Sequence, residues 1–152
     1  MTRPILTVPH DALRAVCAPV TVFDAALADL TEEMFAAMYA APGRGLAAPQ
    51  IGVLERVFVM DVTWKDGPRS PRVFVNAEIV AADDALVTHE ESCLSIPDHP
   101  VQVERPRAVR LRCQDLQGVP QQETFEGTAA VIVQHERDHL DGILCTDYEP
   151  RA

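Results

Sequence analysis

The segment 134–139, Gln-His-Glu-Arg-Asp-His, constrains the fold of this chain more than any other feature. The pattern predicts a helix from about residue 128 to 140, with an apolar first half that runs directly into the ionisable cluster. Residues four positions apart lie on one face of a helix, so His135 and His139 point the same way and Glu136 projects beside them. A helix of this kind has to be set into an apolar core.

Two imidazoles on one helical face can bind a single metal ion, and a neighbouring carboxylate can take a proton from water. A hydrolytic metal site needs a third protein ligand and one open position. The sequence offers Cys93, His89, His99 and several carboxylates as the third ligand. Cys93 stands in a polar stretch, where a cysteine is less expected as a core residue, and a bound metal would favour its thiolate form. The alternative is a chance match on a surface helix.

The order of the other elements predicts the fold class. Asp24 is a suitable N-cap for a helix reaching about residue 40, and strands are predicted at 56–62, at 73–80 and within 101–113. Turns are predicted at 65–68 and 117–118, and Gly142 has the position expected of a C′ glycine. Because helices and strands do not alternate regularly, we predict an α+β fold with largely antiparallel sheets packed around a central C-terminal helix that carries the His-Glu-x-x-His motif.

Length and charge exclude some classes of protein. The 152 residues suit one domain covering 1–152. A net charge of −10, from 13 basic and 23 acidic residues, argues against nucleic-acid binding. No apolar run reaches the roughly 18 residues that span a bilayer, and the first residues do not resemble a signal peptide, so we expect a cytoplasmic protein that does not bind membranes. Cys17, Cys113 and Cys145 are expected to be free, buried and apolar in character.

A glycine-rich segment at 43–50, Gly-Arg-Gly-Leu-Ala-Ala-Pro-Gln, is the third notable feature. Gly43 and Gly45 allow the backbone to approach a ligand closely, and Gln50 supplies a donor that can bind an oxyanion. The alternative is an ordinary loop that ends a helix and leads into a strand.

Together the three segments resemble the motifs of the peptide deformylase family. The family patterns are Gly-x-Gly-Leu-Ala-Ala-x-Gln, matched at 43–50, Glu-Gly-Cys-Leu-Ser, matched at 91–95, and Gln-His-Glu-x-Asp-His-Leu-x-Gly, matched at 134–142. Segments 5–20 and 101–111 are also similar to the family, so the resemblance covers nearly the whole chain. Three motifs in the right order are far more specific than any one of them.

The resemblance implies a metal-dependent hydrolase that removes the N-formyl group from the N-terminal formyl-methionine of nascent peptides and releases formate. It implies one divalent metal ion, Fe²⁺ in most family members and replaceable by Zn²⁺, Ni²⁺ or Co²⁺. The implied metal ligands are Cys93, His135 and His139.

The resemblance also assigns roles in catalysis. Glu136 would be the general base that later protonates the leaving amine. Gln50 and the backbone N–H of Leu94 would stabilise the oxyanion. Gly45 would hold the backbone of the N-formylated peptide substrate in an extended conformation.

The chain departs from the family in the predicted substrate pocket. Arg44, His89 and Thr128 stand where the family usually has apolar residues around the methionine side chain, and Ser92 replaces the glycine of the second motif. Unless these side chains point to solvent, they weaken the methionine preference. The alternative function is therefore a deformylase-like metalloamidase with a different N-formyl or N-acyl substrate.

Two further alternatives come from other classes of protein. A metal-binding homologue without catalysis has no need for Glu136 and Gln50, and a general zinc protease of the His-Glu-x-x-His type would not explain Cys93 or the glycine-rich segment.

Thirteen residues follow His139, and the last five of them, 148–152, contain one basic residue. So short a tail argues against stable docking on the ribosome and leaves at most a transient contact.

Overall fold

The computed structural model describes residues 3–149, and two α-helices and seven strands form its framework. The helices are α1 (Ala25–Ala40) and α2 (Gly127–His139). The strands are β1 (Gly45–Ala47), β2 (Val57–Met60), β3 (Arg72–Ala82), β4 (Leu86–Cys93), β5 (Ile96–Pro106), β6 (Ala108–Gln114) and β7 (Pro120–Glu126). Short 3-10 helices lie at Asp11–Arg14, Ala48–Ile51 and Cys145–Tyr148.

The strands form two antiparallel sheets. The larger sheet has the order β1-β2-β3-β6-β7, and β4 pairs with β5 in a separate hairpin. The apolar side of α2, including Val133, packs against Phe58 and Phe74 of the larger sheet, while His135 on α2 reaches Glu91 on β4. The helix therefore lies between the two sheets, and the predicted α+β fold with a central motif-bearing helix is confirmed.

Helix α1 forms as its sequence predicts. The side chain of Asp24 caps it by accepting a hydrogen bond from the backbone N–H of Leu27 at 3.3 Å. Leu27, Met34 and Met38 recur at helical spacing and are buried against β1 and β2. The helix covers the strand that leads into the functional site.

Helix α2 ends differently from the prediction. Its C-cap is Leu140, so Gly142 lies two residues beyond the cap instead of at C′. Gly142 has φ of +72°, and a Cβ there would lie 2.5 Å from the carbonyl oxygen of Arg14. The glycine is required by this turn and by the close approach of the N-terminal segment.

Strand β4 was not predicted, and the two strands that meet at Arg107 were not separated. Strand β4 does not show the usual pattern because its inward positions include His89, Glu91 and Cys93, so it lacks the apolar alternation of a half-buried strand.

Cys17, Cys93, Cys113 and Cys145 are all free and buried, as predicted for three of them. Among residues 3–149, no helix is both long and apolar enough to cross a bilayer.

Candidate metal centre

Helix α2 and the end of β4 bring three metal-ligating side chains together. One donor atom from each of Cys93, His135 and His139 lies within 4.8 Å of the other two. The Sγ of Cys93 is 3.4 Å from Nε2 of His139. All three side chains are buried. Of the candidates for a third ligand, the structure places Cys93 beside the histidine pair, whereas His99 is exposed and contacts Glu149.

The donor set suits a divalent transition-metal ion. Ligand distances of about 2.0–2.3 Å place the donors of a tetrahedral site about 3.5 Å apart, which agrees with the spacing of Cys93 and His139. One thiolate and two imidazoles favour Fe²⁺ or Zn²⁺ over Mg²⁺ or Ca²⁺. Burial lowers the pKa of His139 well below its usual value, which keeps the imidazole neutral and able to ligate. The residues present therefore fit a metal.

A buried ion-pair network holds His135 in place. Nδ1 of His135 donates to Oε1 of Glu91 at 2.9 Å, so Nε2 is the ring nitrogen left for a metal. Burial lowers the pKa of His135, but the charge of Glu136 and hydrogen bonds with Cys93 and Glu91 outweigh burial and raise the pKa well above its usual value, so a metal that binds Nε2 has to displace a proton. Glu91 in turn accepts two hydrogen bonds from Arg105, at 2.5 and 2.9 Å, and Arg105 also donates to Asp138 at 3.0 Å. This arrangement fixes the orientation of the ring before any metal binds.

We expect Glu91 to make the stability of the metal-free protein depend on pH in the acidic range. Burial raises the pKa of Glu91. The hydrogen bonds from Arg105 and His135 outweigh burial and lower the pKa to about 2. A carboxylate whose folded pKa is depressed contributes stability above its unfolded pKa, so this contribution is lost as pH falls from about 4.5 to 2. We expect the free energy of unfolding in urea to fall steeply across that window.

The control for this prediction is the neighbouring carboxylate. Glu91→Gln should flatten the dependence of unfolding free energy on pH, whereas Glu90→Gln, at an exposed position, should leave the slope unchanged. An unaltered slope in Glu91→Gln would show that another group is responsible.

Glu136 is a buried carboxylate with access to the site. Its Oε1 has no hydrogen-bond partner among residues 3–149. Burial raises the pKa of Glu136 to about 7, an effect that nearby His135 opposes and the charge of Glu91 reinforces. A carboxyl group with a pKa near neutrality can both accept and donate a proton under working conditions.

Gly45 gives Glu136 the space it occupies. A Cβ at residue 45 would lie 2.6 Å from Oε2 of Glu136 and 2.9 Å from Cγ2 of Ile132. We expect Gly45→Ala to displace the carboxylate and lower kcat/KM on a formylated peptide by roughly 10²-fold. Gly67→Ala is the matched control, since its Cβ would meet nothing closer than 3.8 Å. Equal activity of the two variants in a formate-release assay would contradict the prediction.

The carboxamide of Gln50 lies fixed beside the cysteine. Its Oε1 accepts from the backbone N–H of Ala47 at 2.9 Å, and its Nε2 donates to Oγ of Ser95 at 3.0 Å. Nε2 also lies 3.8 Å from Sγ of Cys93. These bonds hold the amide with its donor nitrogen toward the centre, as a group that stabilises developing negative charge has to be.

A cavity of about 390 Å³ opens onto these groups. The residues proposed from sequence that line it are Arg44, Gly45, Gln50, Cys93, Leu94, Thr128, His135 and Glu136. His139 lies buried behind them, and His89 is half-buried on β4 opposite Val103 and outside the lining. The structure thus brings eight of the ten proposed residues to one cavity, with His139 joined to them through Cys93 and His135.

Sequence reasoning missed the role of Arg105. A signal was present, because Val101, Val103 and Arg105 share one face of β5, and a charge at the third position interrupts an apolar face. A cation on an inward-facing strand position requires a buried partner. The sequence placed Glu91 in the cysteine motif but did not predict its ion pair with Arg105.

Known proteins resemble this chain over its whole length. The model of the polypeptide deformylase family matches residues 2–151. The chain belongs to this family. A peptide deformylase of Phenylobacterium zucineum is 49% identical over 98% of this chain and 88% of the relative, and one of Afipia carboxidovorans is 45% identical over 96% and 85%.

Solved structures agree with this assignment. The crystal structure of peptide deformylase from Thermotoga maritima superposes with a TM-score of 0.92 at 38% identity, covering 99% of both chains. A Met-Ala-Ser-bound deformylase from Acinetobacter baumannii superposes with a TM-score of 0.90 at 35% identity, covering 97% of this chain and 98% of that one. The family predicted from the three motifs is confirmed, and with it the assignment of the chain as a metal-dependent hydrolase.

Proposed function

We propose that this chain hydrolyses the N-terminal formyl group of nascent peptides and releases formate. The observation that carries the proposal is the buried Cys93, His135 and His139 cluster next to Glu136, at the end of a cavity bordered by Gly45. The family membership of the chain supports the same activity.

The cavity suits a peptide in extended conformation. It lies between residues 43–45, where β1 begins, and residues 90–94 at the end of β4. In the described part of the chain β1 pairs only with β2, and β4 only with β5, so each has one edge free to bond another strand. The Acinetobacter baumannii relative was solved with Met-Ala-Ser bound, a tripeptide of the kind that deformylation would leave.

The side chains have complementary tasks in amide hydrolysis. A divalent cation held by Cys93, His135 and His139 would lower the pKa of a water molecule and polarise the formyl carbonyl. Glu136 accepts the proton that the water loses as its oxygen attacks the formyl carbon. Glu136 then donates that proton to the amine nitrogen as the carbon–nitrogen bond breaks, so formate and a free amine leave.

The oxygen of the formyl group gains negative charge during attack. We assign its stabilisation to the Nε2 group of Gln50 and the backbone N–H of Leu94, because the first is held rigidly at the cavity and the second adjoins Cys93. One such donor contributes roughly 3 kcal/mol where it has been tested in other enzymes. Gly45 is assigned to the substrate backbone.

The metal is proposed to be Fe²⁺, with Zn²⁺, Ni²⁺ and Co²⁺ as substitutes that the same ligands accept. Residues 150–152, part of the tail on which the predicted weak ribosome contact depends, lie outside the described residues. That contact, the cytoplasmic location and the single-domain organisation of 1–152 stay predictions.

A direct test follows formate release from formyl-Met-Ala-Ser by protein prepared without oxygen and loaded with Fe²⁺ or Ni²⁺. We expect turnover that is lost after chelation and returns when the metal is added back. Acetyl-Met-Ala-Ser is the parallel substrate. Release of acetate but not formate would replace the proposal by the metalloamidase alternative, which the polar Arg44 and Thr128 in the cavity wall favour.

A further inference from the structure

Two cationic side chains line the cavity of a protein whose net charge is negative. Arg44 and Lys65 both line the cavity, and the net charge of the chain is −10. Lys65 is the single lysine of the sequence. We refer to Arg44 and Lys65 together as the basic rim.

The guanidinium of Arg44 is poorly neutralised by the protein. Its one ion pair among residues 3–149 is with Asp66, at 3.5 Å, and the side chain of Asp66 is 85% exposed. Nε of Arg44 is buried and has no hydrogen-bond partner among residues 3–149. By contrast, Arg72 makes two bonds to Glu123 at 2.7 and 2.9 Å. Arg44 therefore keeps donors available for an incoming acceptor.

Lys65 is also without a carboxylate partner in the described part of the chain. Its Nζ donates to the carbonyl oxygen of Pro42 at 3.2 Å and lies 5.8 Å from the ring centroid of Trp64. The first contact places the ammonium group against Pro42, two residues before Arg44. The two positive charges therefore act on the same end of the cavity.

The loop that carries Lys65 is held in a fixed conformation. The buried carboxylate of Asp61 accepts hydrogen bonds from the backbone N–H groups of Thr63 and Trp64, each at 3.2 Å, and of Ser70 at 3.0 Å. Nε1 of Trp64 donates to the carbonyl oxygen of Gly43 at 2.9 Å. Because the backbone of this loop is already ordered, binding of a ligand at the rim has to order only the side chains.

The basic rim precedes Gly45 along the edge of the cavity. Gly45 adjoins Glu136, Arg44 is the residue before it, and Lys65 contacts the carbonyl oxygen of Pro42. Successive strand residues are about 3.3 Å apart. A peptide with its formyl group at Glu136 would therefore bring its second and third residues past Arg44 and Lys65.

We propose that the basic rim binds a carboxylate of the formylated peptide, carried by an acidic second or third residue or by the C-terminus of a short substrate. The inference rests on the deformylase function proposed above and specifies the substrate class. Three carboxylates line the same cavity. Glu91 is paired with Arg105, Glu136 lies beside Gly45 at the reacting end, and Glu90 is the exposed opposing charge on the β4 side. Asp66 is the group that the substrate carboxylate would displace.

The test compares kcat and KM on matched peptides. The neutral reference is formyl-Met-Ala-Ser-amide, the side-chain probes are formyl-Met-Asp-Ser-amide and formyl-Met-Ala-Asp-amide, and their Asn counterparts control for shape. Formyl-Met-Ala-Ser with a free C-terminus probes the second source of a carboxylate. We expect KM about tenfold lower for at least one carboxylate peptide than for its neutral counterpart, with kcat little changed. This preference should weaken as salt is raised.

Four variants locate the effect. Arg44→Gln and Lys65→Gln should bring the ratio of kcat/KM between acidic and neutral peptides toward 1, and Asp66→Asn should increase it, because the competing carboxylate is removed. Arg110→Gln removes one positive charge from an exposed position on β6, outside the cavity, and should leave the ratio unchanged. The ratio compares two substrates on one preparation, so partial loss of folded protein cancels.

Each outcome decides the proposal. A ratio near 1 in the unmodified protein, or a ratio that persists in both rim variants, overturns the basic rim as a carboxylate site while leaving the deformylase activity in place. Failure to release formate from every peptide would overturn the proposed function and this inference with it. A preference restricted to the free C-terminus would assign the rim to short peptides.

Discussion

Replacing Glu136 with glutamine is expected to lower kcat for deformylation by about 10²- to 10⁴-fold, the range typical of a lost general acid–base group. The amide has nearly the same shape, so the metal ligands should stay in place and metal content should be unchanged. The folded state should be no less stable, because Oε1 of Glu136 has no partner among residues 3–149 and the burial of a carboxylate is unfavourable. A near-complete loss of activity without loss of stability is the signature of a catalytic carboxylate.

The experiment measures formate release, bound metal and thermal unfolding on the same preparations. Glu104→Gln is the matched control, since Glu104 is exposed on β5 and outside the cavity. If Glu136→Gln kept a third or more of the activity of the unmodified protein, another group would have to move the proton. If it lost its metal, the defect would be one of ligation.

Replacing Arg105 with methionine is expected to destabilise the protein by about 3–5 kcal/mol, the usual effect of breaking a buried ion pair by removing one partner. Arg105 is buried and bonds both Glu91 and Asp138, so its loss leaves two carboxylates without their cation inside the protein. For a chain of about 150 residues, each kcal/mol corresponds to roughly 2–4 °C in Tm. We therefore expect a fall in Tm of about 10 °C, measured by thermal and urea unfolding.

Arg107 offers a matched control two residues away. It pairs with Asp83 at 2.7 Å, but its side chain is 52% exposed, so Arg107→Met should cost less than about 1 kcal/mol. Adding Glu91→Gln to Arg105→Met should recover part of the lost stability, because one of the two unpaired carboxylate charges is then removed. Similar costs for Arg105→Met and Arg107→Met would mean that the buried network does not stabilise the fold.

Local features of the sequence predicted much of the framework. The capped helix at 25–40, the motif helix and the strands around 57–60 and 72–82 follow from side-chain spacing within one element. Strand β4 did not follow, because its inner positions include His89, Glu91 and Cys93 in place of an apolar stripe. The turn at Arg107 was missed because polar and apolar residues continue to alternate on both sides of it.

The candidate site also contains residues that the local sequence predicted and residues that it did not. Helix geometry alone places His135 and His139 on one face with Glu136 beside them, so the local sequence was enough to propose two metal ligands and the general base. Cys93 was one of several candidates until three motifs were taken together, because the distance between a strand end and a helix depends on how the whole core packs.

Contacts between distant segments set how the candidate site is supported and what surrounds it. The tertiary structure joins Glu91 and Arg105 to His135, places Arg44 and Thr128 in the cavity wall and leaves His89 outside it. It also brings Lys65 to the cavity, a residue that no motif contains. Spacing along the chain fixes neighbours within a helix or strand, but contacts between distant segments arise from the burial of apolar surface throughout the fold.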